Sequence, residues 1–144
     1  MKKRIIPLLL ICSLVFCQFT TPAFALQDES RYLSSYRTLA FAKTDGTIAL
    51  DFSVRGTHMM DRIGAKKIDI YAREGNQWIF AGSFSSSDEG MCTTDDFSFV
   101  NTLYFNATAG TYYQIFITIF AEDSSGSDSR TEVHYVTAKG STQT

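Results

Sequence analysis

The sequence lacks every compact motif that usually marks a catalytic site. It contains no G-x-S-x-G, no H-E-x-x-H, no C-x-x-C and no glycine-rich phosphate loop. Its two histidines, His58 and His134, fall on different segments. Because nucleophilic catalysis needs a base beside the nucleophile, we expect a protein that is not an enzyme and that carries no cofactor.

The one long apolar stretch lies at the N-terminus, where residues 1–25 have the form of an export signal. Three basic residues at positions 2–4 precede an apolar core from Ile5 to Phe16, and the segment 23–25 fits a signal-peptidase site. This core is shorter than the roughly 20 residues that a membrane-spanning helix needs. The sequence therefore predicts cleavage near Ala25-Leu26, secretion, and no membrane attachment afterwards.

Cysteine and basic side chains become scarce once that signal is removed. Cys12 and Cys17 leave with it, so Cys92 alone remains and no intramolecular disulfide can form. The exported domain must then depend on a hydrophobic core. The 13 basic residues fall to ten against 15 acidic ones, a net charge of −5, which disfavours nucleic acid or an anionic membrane as a partner.

Alternation of apolar and polar residues recurs along the chain, whereas no helical period appears after the signal. The clearest alternation runs from Tyr113 to Ala121, and the next clearest from Thr47 to Arg55. Seven strands are predicted over residues 38–43, 47–55, 67–74, 78–84, 97–105, 113–121 and 130–138.

These strands indicate an all-β fold, a seven-strand antiparallel two-layer sandwich. We expect the sandwich domain to span residues 38–138. An N-terminal arm at 26–37 precedes it, and a flexible tail at 139–144 follows it.

The segment ATAGTYYQIFITIFAEDSSGSDS, residues 107–129, resembles the E–F corner, F strand and F–G loop of fibronectin type III domains. In that family the segment reads L-x-P-G-T-x-Y, then alternating aliphatic residues, then A-x-N-x-x-G. This chain departs from the pattern at Ala107, Ala109 and Asp123, which stand in place of Leu, Pro and Asn. The resemblance implies a fibronectin- or immunoglobulin-like sandwich.

The same segment contains a structural corner. Gly110 sits in the turn before the strand, where it is free to take a positive φ. The resemblance implies that Tyr113 is the tyrosine-corner residue, with its hydroxyl bonded back to the backbone near the turn. Tyr112 is a competing candidate, since the immunoglobulin spacing G-x-Y fits it equally well.

Three further segments, RYLSSY, MDRIGAKKI and SSGSDSR, look like parts of small secreted proteins of Gram-positive bacteria that have no assigned function. This resemblance implies a fold and a compartment, and it implies no activity.

Acidic residues concentrate in three segments predicted as loops, 56–66, 85–96 and 122–129. In the sandwich order these loops emerge at one end, which we call the acidic end, and sandwiches commonly bind partners through such loops. We expect a protein or surface ligand to bind a monomer there. The candidate ligand-binding residues are Asp61, Asp88, Glu89, Asp95 and Asp96.

Two other interpretations of the acidic end remain open. Calcium takes several carboxylate and carbonyl oxygens from loops, and the calcium candidates are Asp88, Asp95, Asp96, Asp123 and Asp128. No calcium-loop spacing is present, however. The carboxylates would otherwise serve only to solvate the loops and discourage aggregation.

Aromatic side chains supply an alternative function. Trp78 and surface tyrosines would suit a carbohydrate-binding module, because aromatic rings offer flat apolar surfaces to sugars. At strand spacing, aromatic residues also belong commonly to a core or to a half-covered sheet face.

The run His58-Met59-Met60 raises the question of a soft-metal site, since imidazole and thioether groups are copper ligands. Adjacent loop residues rarely all face one ion. The methionines are better interpreted as flexible fillers at the open end of the core.

Overall fold

The computed structural model describes residues 30–140, and within that range all regular structure is β. Six strands follow one another: β1 (Leu33–Ala42), β2 (Thr47–Glu74), β3 (Gln77–Ser85), β4 (Cys92–Asn106), β5 (Tyr112–Asp123) and β6 (Gly126–Thr137). Every paired neighbour is antiparallel. The all-β antiparallel class is therefore confirmed. Between residues 30 and 140 no helix is long and apolar enough to cross a membrane.

Strand β2 is the centre of the sheet. Its N-terminal part, residues 47–56, lies between β1 and β4. Its C-terminal part, residues 62–74, pairs with β5 along one edge and with β4 and then β3 along the other. Strand β6 adds to the free edge of β5. Four strands thus pair directly with β2, and β6 is connected to β2 through β5.

A straight strand of 28 residues would be about 90 Å long, too long for a compact core. The pairing register of β2 shifts against β4 between Arg55 and Met60, and against β5 between Ala65 and Lys67. Such irregularities bend a strand and increase its twist. The sheet curls accordingly, so that both halves of β2 contribute to one hydrophobic core.

The core follows the alternation of the sequence. Ile48, Leu50, Phe52 and Val54 of β2 and Ile115, Ile117 and Ile119 of β5 are all at most 1% exposed. Burial of each such side chain contributes about 1.5–3 kcal/mol relative to exposure. In a domain without a disulfide, this burial is the main source of stability.

The seven-strand sandwich is not confirmed, because two predicted strands are parts of β2. The polar and glycine content of residues 56–66 predicts a loop. In the structure this segment is strand: Met60 to Gly64 pair with β4, and Arg62 to Ala65 pair with β5. The polar side chains there are exposed on a strand, while Met60 and Ile63 are buried.

The ends of the domain differ slightly from expectation. Strand β1 begins at Leu33, so residues 33–37 of the predicted arm belong to the sheet. Strand β6 ends at Thr137, and residues 138–140 have no regular structure. The predicted signal, residues 1–25, and the last four residues lie outside the described range. Export therefore stays a prediction.

The tyrosine corner has a defined geometry. Tyr113 is 3% exposed, and its hydroxyl oxygen accepts a 2.9 Å hydrogen bond from the backbone N–H of Thr108. Gly110, in the intervening turn, has a φ of 79°. This is the contact that the sequence analysis expected of Tyr113, whereas Tyr112 is 42% exposed on the opposite face.

Strands β1 and β6 approach each other without pairing through their backbones, and side chains join them. The Tyr36 hydroxyl donates to Glu132 at 3.1 Å, and Thr38 Oγ1 lies 2.7 Å from His134 Nε2. Burial lowers the pKa of His134, and the nearby Glu132 carboxylate opposes this only in part. The neutral imidazole is thus the form that suits this seam.

Substitution of Tyr113 by Phe should lower the free energy of unfolding by about 1–2 kcal/mol, because it leaves the Thr108 N–H without its acceptor. Urea denaturation would measure the change. The matched control is Tyr112→Phe, which removes a hydroxyl from an exposed side chain. Equal losses for the two variants would contradict the assignment of the corner to Tyr113.

Substitution of Gly64 by Ala should cost about 2–4 kcal/mol. A Cβ there would lie 2.6 Å from Cys92 Cα, and the φ of 149° disfavours any other residue. Gly75→Ala is the control, since its φ of 59° is also positive but its surroundings are open. Denaturant unfolding of both variants would show whether close strand contact, rather than φ alone, requires Gly64.

Stability should fall as pH drops below about 6.5, the ordinary pKa of histidine. His134 has a lowered pKa in the folded protein, so below this pH the unfolded chain binds more protons than the folded one. The stability that neutral His134 contributes is fully present above the pKa of histidine in the unfolded chain. It is lost as the pH falls from that value toward the lower pKa that His134 has in the folded protein. In thermal melts, His134→Gln should show a smaller loss between neutral and mildly acidic pH. Parallel pH profiles would contradict this role.

Candidate functional site

The pairing register brings the three acidic segments to one part of the molecule, although they are not three loops. Arg62 of β2 pairs with Thr94 of β4 on one side and with Glu122 of β5 on the other. The segment 85–96 is a six-residue turn followed by the start of β4, and the segment 122–129 is a tight turn between β5 and β6. The acidic end is therefore made mostly of strand ends.

Several carboxylates of the acidic end hold its turns together. Asp88 Oδ2 accepts a hydrogen bond from the Ser85 backbone N–H at 2.7 Å. Asp96 Oδ1 accepts from the N–H groups of Phe97 and Ser98. Asp88 thus satisfies a backbone donor at the end of β3, and Asp96 satisfies two donors at the point where the register of β4 shifts against β2.

Asp123 and Asp128 are engaged in the same way. The hydroxyl of Ser125, and then the ring of His58, hold the pKa of Asp123 at about 2 because their hydrogen bonds favour the carboxylate. Hydrogen bonds from Ser30 and then from the Ser129 backbone lower the pKa of Asp128, against an opposing effect of burial. Both groups are therefore ionised and engaged within the fold: Asp123 closes the β5–β6 turn through Ser125, and Asp128 joins β6 to Ser30.

Three acidic side chains remain without such bonds. Asp61, Glu89 and Asp95 are exposed and make no side-chain hydrogen bond or ion pair with residues 30–140. Asp95 also has a φ of 52°. Across the described part of the chain, no three His, Cys, Asp or Glu side chains gather where they would hold a metal ion. The calcium candidates are thus not arranged as a cage.

His58 belongs to a hydrogen-bonded chain that links three segments. Thr57 Oγ1 donates to the Arg31 carbonyl at 2.6 Å and lies 2.9 Å from His58 Nδ1. His58 Nε2 lies 2.6 Å from Asp123 Oδ2. The Thr57 hydroxyl carries one proton, and the Arg31 carbonyl accepts it. These hydrogen bonds connect β2 to the start of the β5–β6 turn.

The methionines beside His58 point in different directions. Met59 is 63% exposed, whereas Met60 is fully buried in the core. The expectation of core filling therefore holds for Met60 alone. The thioethers and the imidazole do not converge, because Met60 lies in the core while His58 and Met59 are exposed at the register shift of β2.

A cluster of aromatic rings lies on the outer face of β3, β2, β5 and β6. Trp78 lies 5.7 Å from Tyr112 and 6.1 Å from Tyr135, measured between ring centroids. Tyr112 and Tyr135 stack at 5.9 Å with an interplanar angle of 21°. Tyr112 and Tyr135 are about half exposed, at 42% and 53%.

More rings extend this surface across the sheet. Tyr71 makes edge contacts with Phe80 at 5.8 Å and with Phe116 at 5.9 Å. We call this surface the aromatic face, and its rings are Tyr71, Trp78, Phe80, Tyr112, Phe116 and Tyr135. Their common orientation follows from the pairing of Tyr71 with Phe80 and Gln114, and of Gln114 with Tyr135.

Polar groups lie among the rings. The Gln114 amide nitrogen donates to the Tyr135 hydroxyl at 2.9 Å. The Arg73 guanidinium lies 5.0 Å from the centroid of the Trp78 ring. The aromatic face thus combines flat apolar surface with hydrogen-bonding groups, as sites for small polar ligands do.

The sequence predicts Trp78 as a ligand-binding candidate, but it does not show which aromatic rings lie next to it. The signal was present in the second, partly apolar face of β5 and in the alternating Tyr71 and Arg73 of β2. What was missing was the register across four strands, which alone shows that these side chains share one surface.

No protein-family model matches the chain, and no curated protein matches its sequence.

Among solved structures, the chain is similar to Spo0M, a sporulation control protein from Bacillus subtilis, with 7% sequence identity and a TM-score of 0.45. The match covers 73% of this chain and 49% of that one, so this chain spans about half the length of Spo0M. A likeness at this level carries no argument about function.

Proposed function

We propose that this protein is a non-enzymatic binding module that holds a glycan on its aromatic face. The observation that carries the proposal is the ring cluster of the half-buried Trp78 with the exposed Tyr112 and Tyr135. Contiguous apolar surface on a soluble domain usually marks an interaction site. Aromatic rings that keep a polar end in water suit ligands that are apolar on one face and polar at their edges, as pyranose rings are.

The polar groups of the aromatic face support the same ligand class. The Gln114 amide oxygen and the Tyr112 hydroxyl make no side-chain hydrogen bond with residues 30–140, so they are open to sugar hydroxyls. The rings are held by packing against one another and by the rigid sheet beneath them. A site built on strands loses little conformational entropy when it binds.

The remaining expectations fit this proposal. The export signal at residues 1–25 would deliver the module outside the cell, where polysaccharides are accessible. The Tyr113 corner supports a fibronectin- or immunoglobulin-like sandwich of the kind that small secreted proteins of Gram-positive bacteria carry. Neither part of the proposal requires a metal or a cofactor.

A protein partner at the acidic end is the second candidate. The favouring observation is that Asp61, Glu89 and Asp95 are exposed and unpaired within residues 30–140. Most other carboxylates of this end accept hydrogen bonds within turns or form ion pairs. For this reason we place the acidic end second to the aromatic face.

Substitution of Trp78 by Ala should weaken glycan binding at least about tenfold, which corresponds to ~1.4 kcal/mol. The chain has a single tryptophan, so the wild-type fluorescence reports on this site directly during titration with soluble polysaccharides. Calorimetric titration would then compare wild type with Trp78→Ala and Tyr135→Ala.

Tyr104→Ala is the matched control, because Tyr104 is a 56% exposed aromatic residue on β4, outside the aromatic face. Its affinity should stay close to wild type. Equal losses for Trp78→Ala and Tyr104→Ala would overturn the proposal. Capture of a protein partner that is lost on reversing Asp61 and Asp95, but kept in Trp78→Ala, would favour the acidic end instead.

A further inference from the structure

The aromatic face contains one cation whose charge is not neutralised by a neighbour. Arg73 of β2 pairs across the sheet with Trp78, and its guanidinium lies 5.0 Å from the centroid of that ring. Its Nε donates to the Gly75 carbonyl at 2.9 Å. No carboxylate lies within ion-pair distance of Arg73 in residues 30–140. The terminal nitrogens of Arg73 are therefore available to a ligand.

The other charges of this face cancel. Lys67 and Asp69 lie on the same side of β2 as Arg73, and they form an ion pair of 2.8 Å with each other. Glu74, the next residue after Arg73, pairs with Gln77 and alternates to the other side of the strand. The net charge presented next to Trp78 is thus positive, although the whole chain is acidic.

The cation is also held in place. Packing against the indole ring and the bond to Gly75 restrict the Arg73 side chain, so a ligand would not have to order it. A guanidinium is planar and matches the two oxygens of a carboxylate through parallel hydrogen bonds. Within residues 30–140 only Nε of Arg73 makes a hydrogen bond, so the edge formed by its two terminal nitrogens is free.

We propose that the glycan bound by the aromatic face carries carboxylates, and that it is a polysaccharide of uronic acids. This inference rests on the proposed function and specifies its ligand. A uronic acid keeps the pyranose ring that stacks on Trp78, Tyr112 or Tyr135 and adds a carboxylate at the ring edge. Arg73 is the group that pairs with this carboxylate.

The test compares two oligosaccharides of the same linkage and length, a glucuronan and the neutral glucan obtained by reducing its carboxylates. A galacturonan and its reduced form provide a second backbone. Calorimetric titration and Trp78 fluorescence would measure both pairs with wild type, Arg73→Gln and Arg73→Lys. Wild type should bind the uronic acid form about tenfold more tightly, and the preference should weaken with added salt.

The two variants separate charge from geometry. Arg73→Gln should bind the charged and neutral forms with similar affinity, while Arg73→Lys should keep part of the preference, because it keeps the charge but not the planar fork. Thermal melts check that both variants are folded. Arg55→Gln is the control for general charge, since Arg55 is an exposed cation on the N-terminal half of β2.

The outcomes distinguish this inference from the proposed function. Equal wild-type affinity for charged and neutral forms, with both lost in Trp78→Ala, would overturn the uronic acid preference and leave glycan binding intact. An uronic acid preference that survives in Arg73→Gln would overturn the role of Arg73. If neither form of either backbone binds, the proposed function and this inference both fail.

Discussion

The fold depends on the hydrogen bonding of β2. A strand of 28 residues exposes backbone donors and acceptors along both edges, and each buried group must find a partner. Four other strands supply these partners directly, and β6 is attached through β5. Because β2 bends at its register shifts, the strands paired with its two halves enclose a single core. Gly64 lies where β2 comes closest to the start of β4, and only a glycine fits there.

The same arrangement determines how charge is used. At the acidic end, strand ends, tight turns and the register shift of β4 against β2 leave backbone N–H groups without sheet partners, and carboxylates of Asp88, Asp96 and Asp123 accept from them. A carboxylate in such a role is stabilised in its ionised form, as the low pKa of Asp123 shows. A dense group of acidic residues is therefore compatible with a purely structural use. For this reason we propose binding at the aromatic face, where the Gln114 amide oxygen and the tyrosine rings remain open.

Closure of the curled sheet is achieved without a disulfide. The described chain has one cysteine, Cys92, whose thiol donates to the Ser86 carbonyl at 3.2 Å. Between β1 and β6, paired side chains such as Thr38 and His134 take the place of a backbone ladder. Such a seam is weaker than a ladder and is sensitive to the protonation of its histidine. The core, rather than the seam, carries most of the stability.

Local sequence was sufficient for the elements that depend on local physics. Period-2 alternation identified the buried faces of β2 and β5, since it is decided within a few residues. The resemblance around Gly110 implied a corner at Tyr113 with Tyr112 as a competitor, and the hydrogen bond from Thr108 decides for Tyr113. Two matters were decided only by tertiary structure. Residues 56–66 are polar enough to form a loop, and pairing with β4 and β5 makes them strand. Trp78, Tyr112 and Tyr135 lie on three strands, and their meeting depends on register, which sequence alternation by itself does not specify.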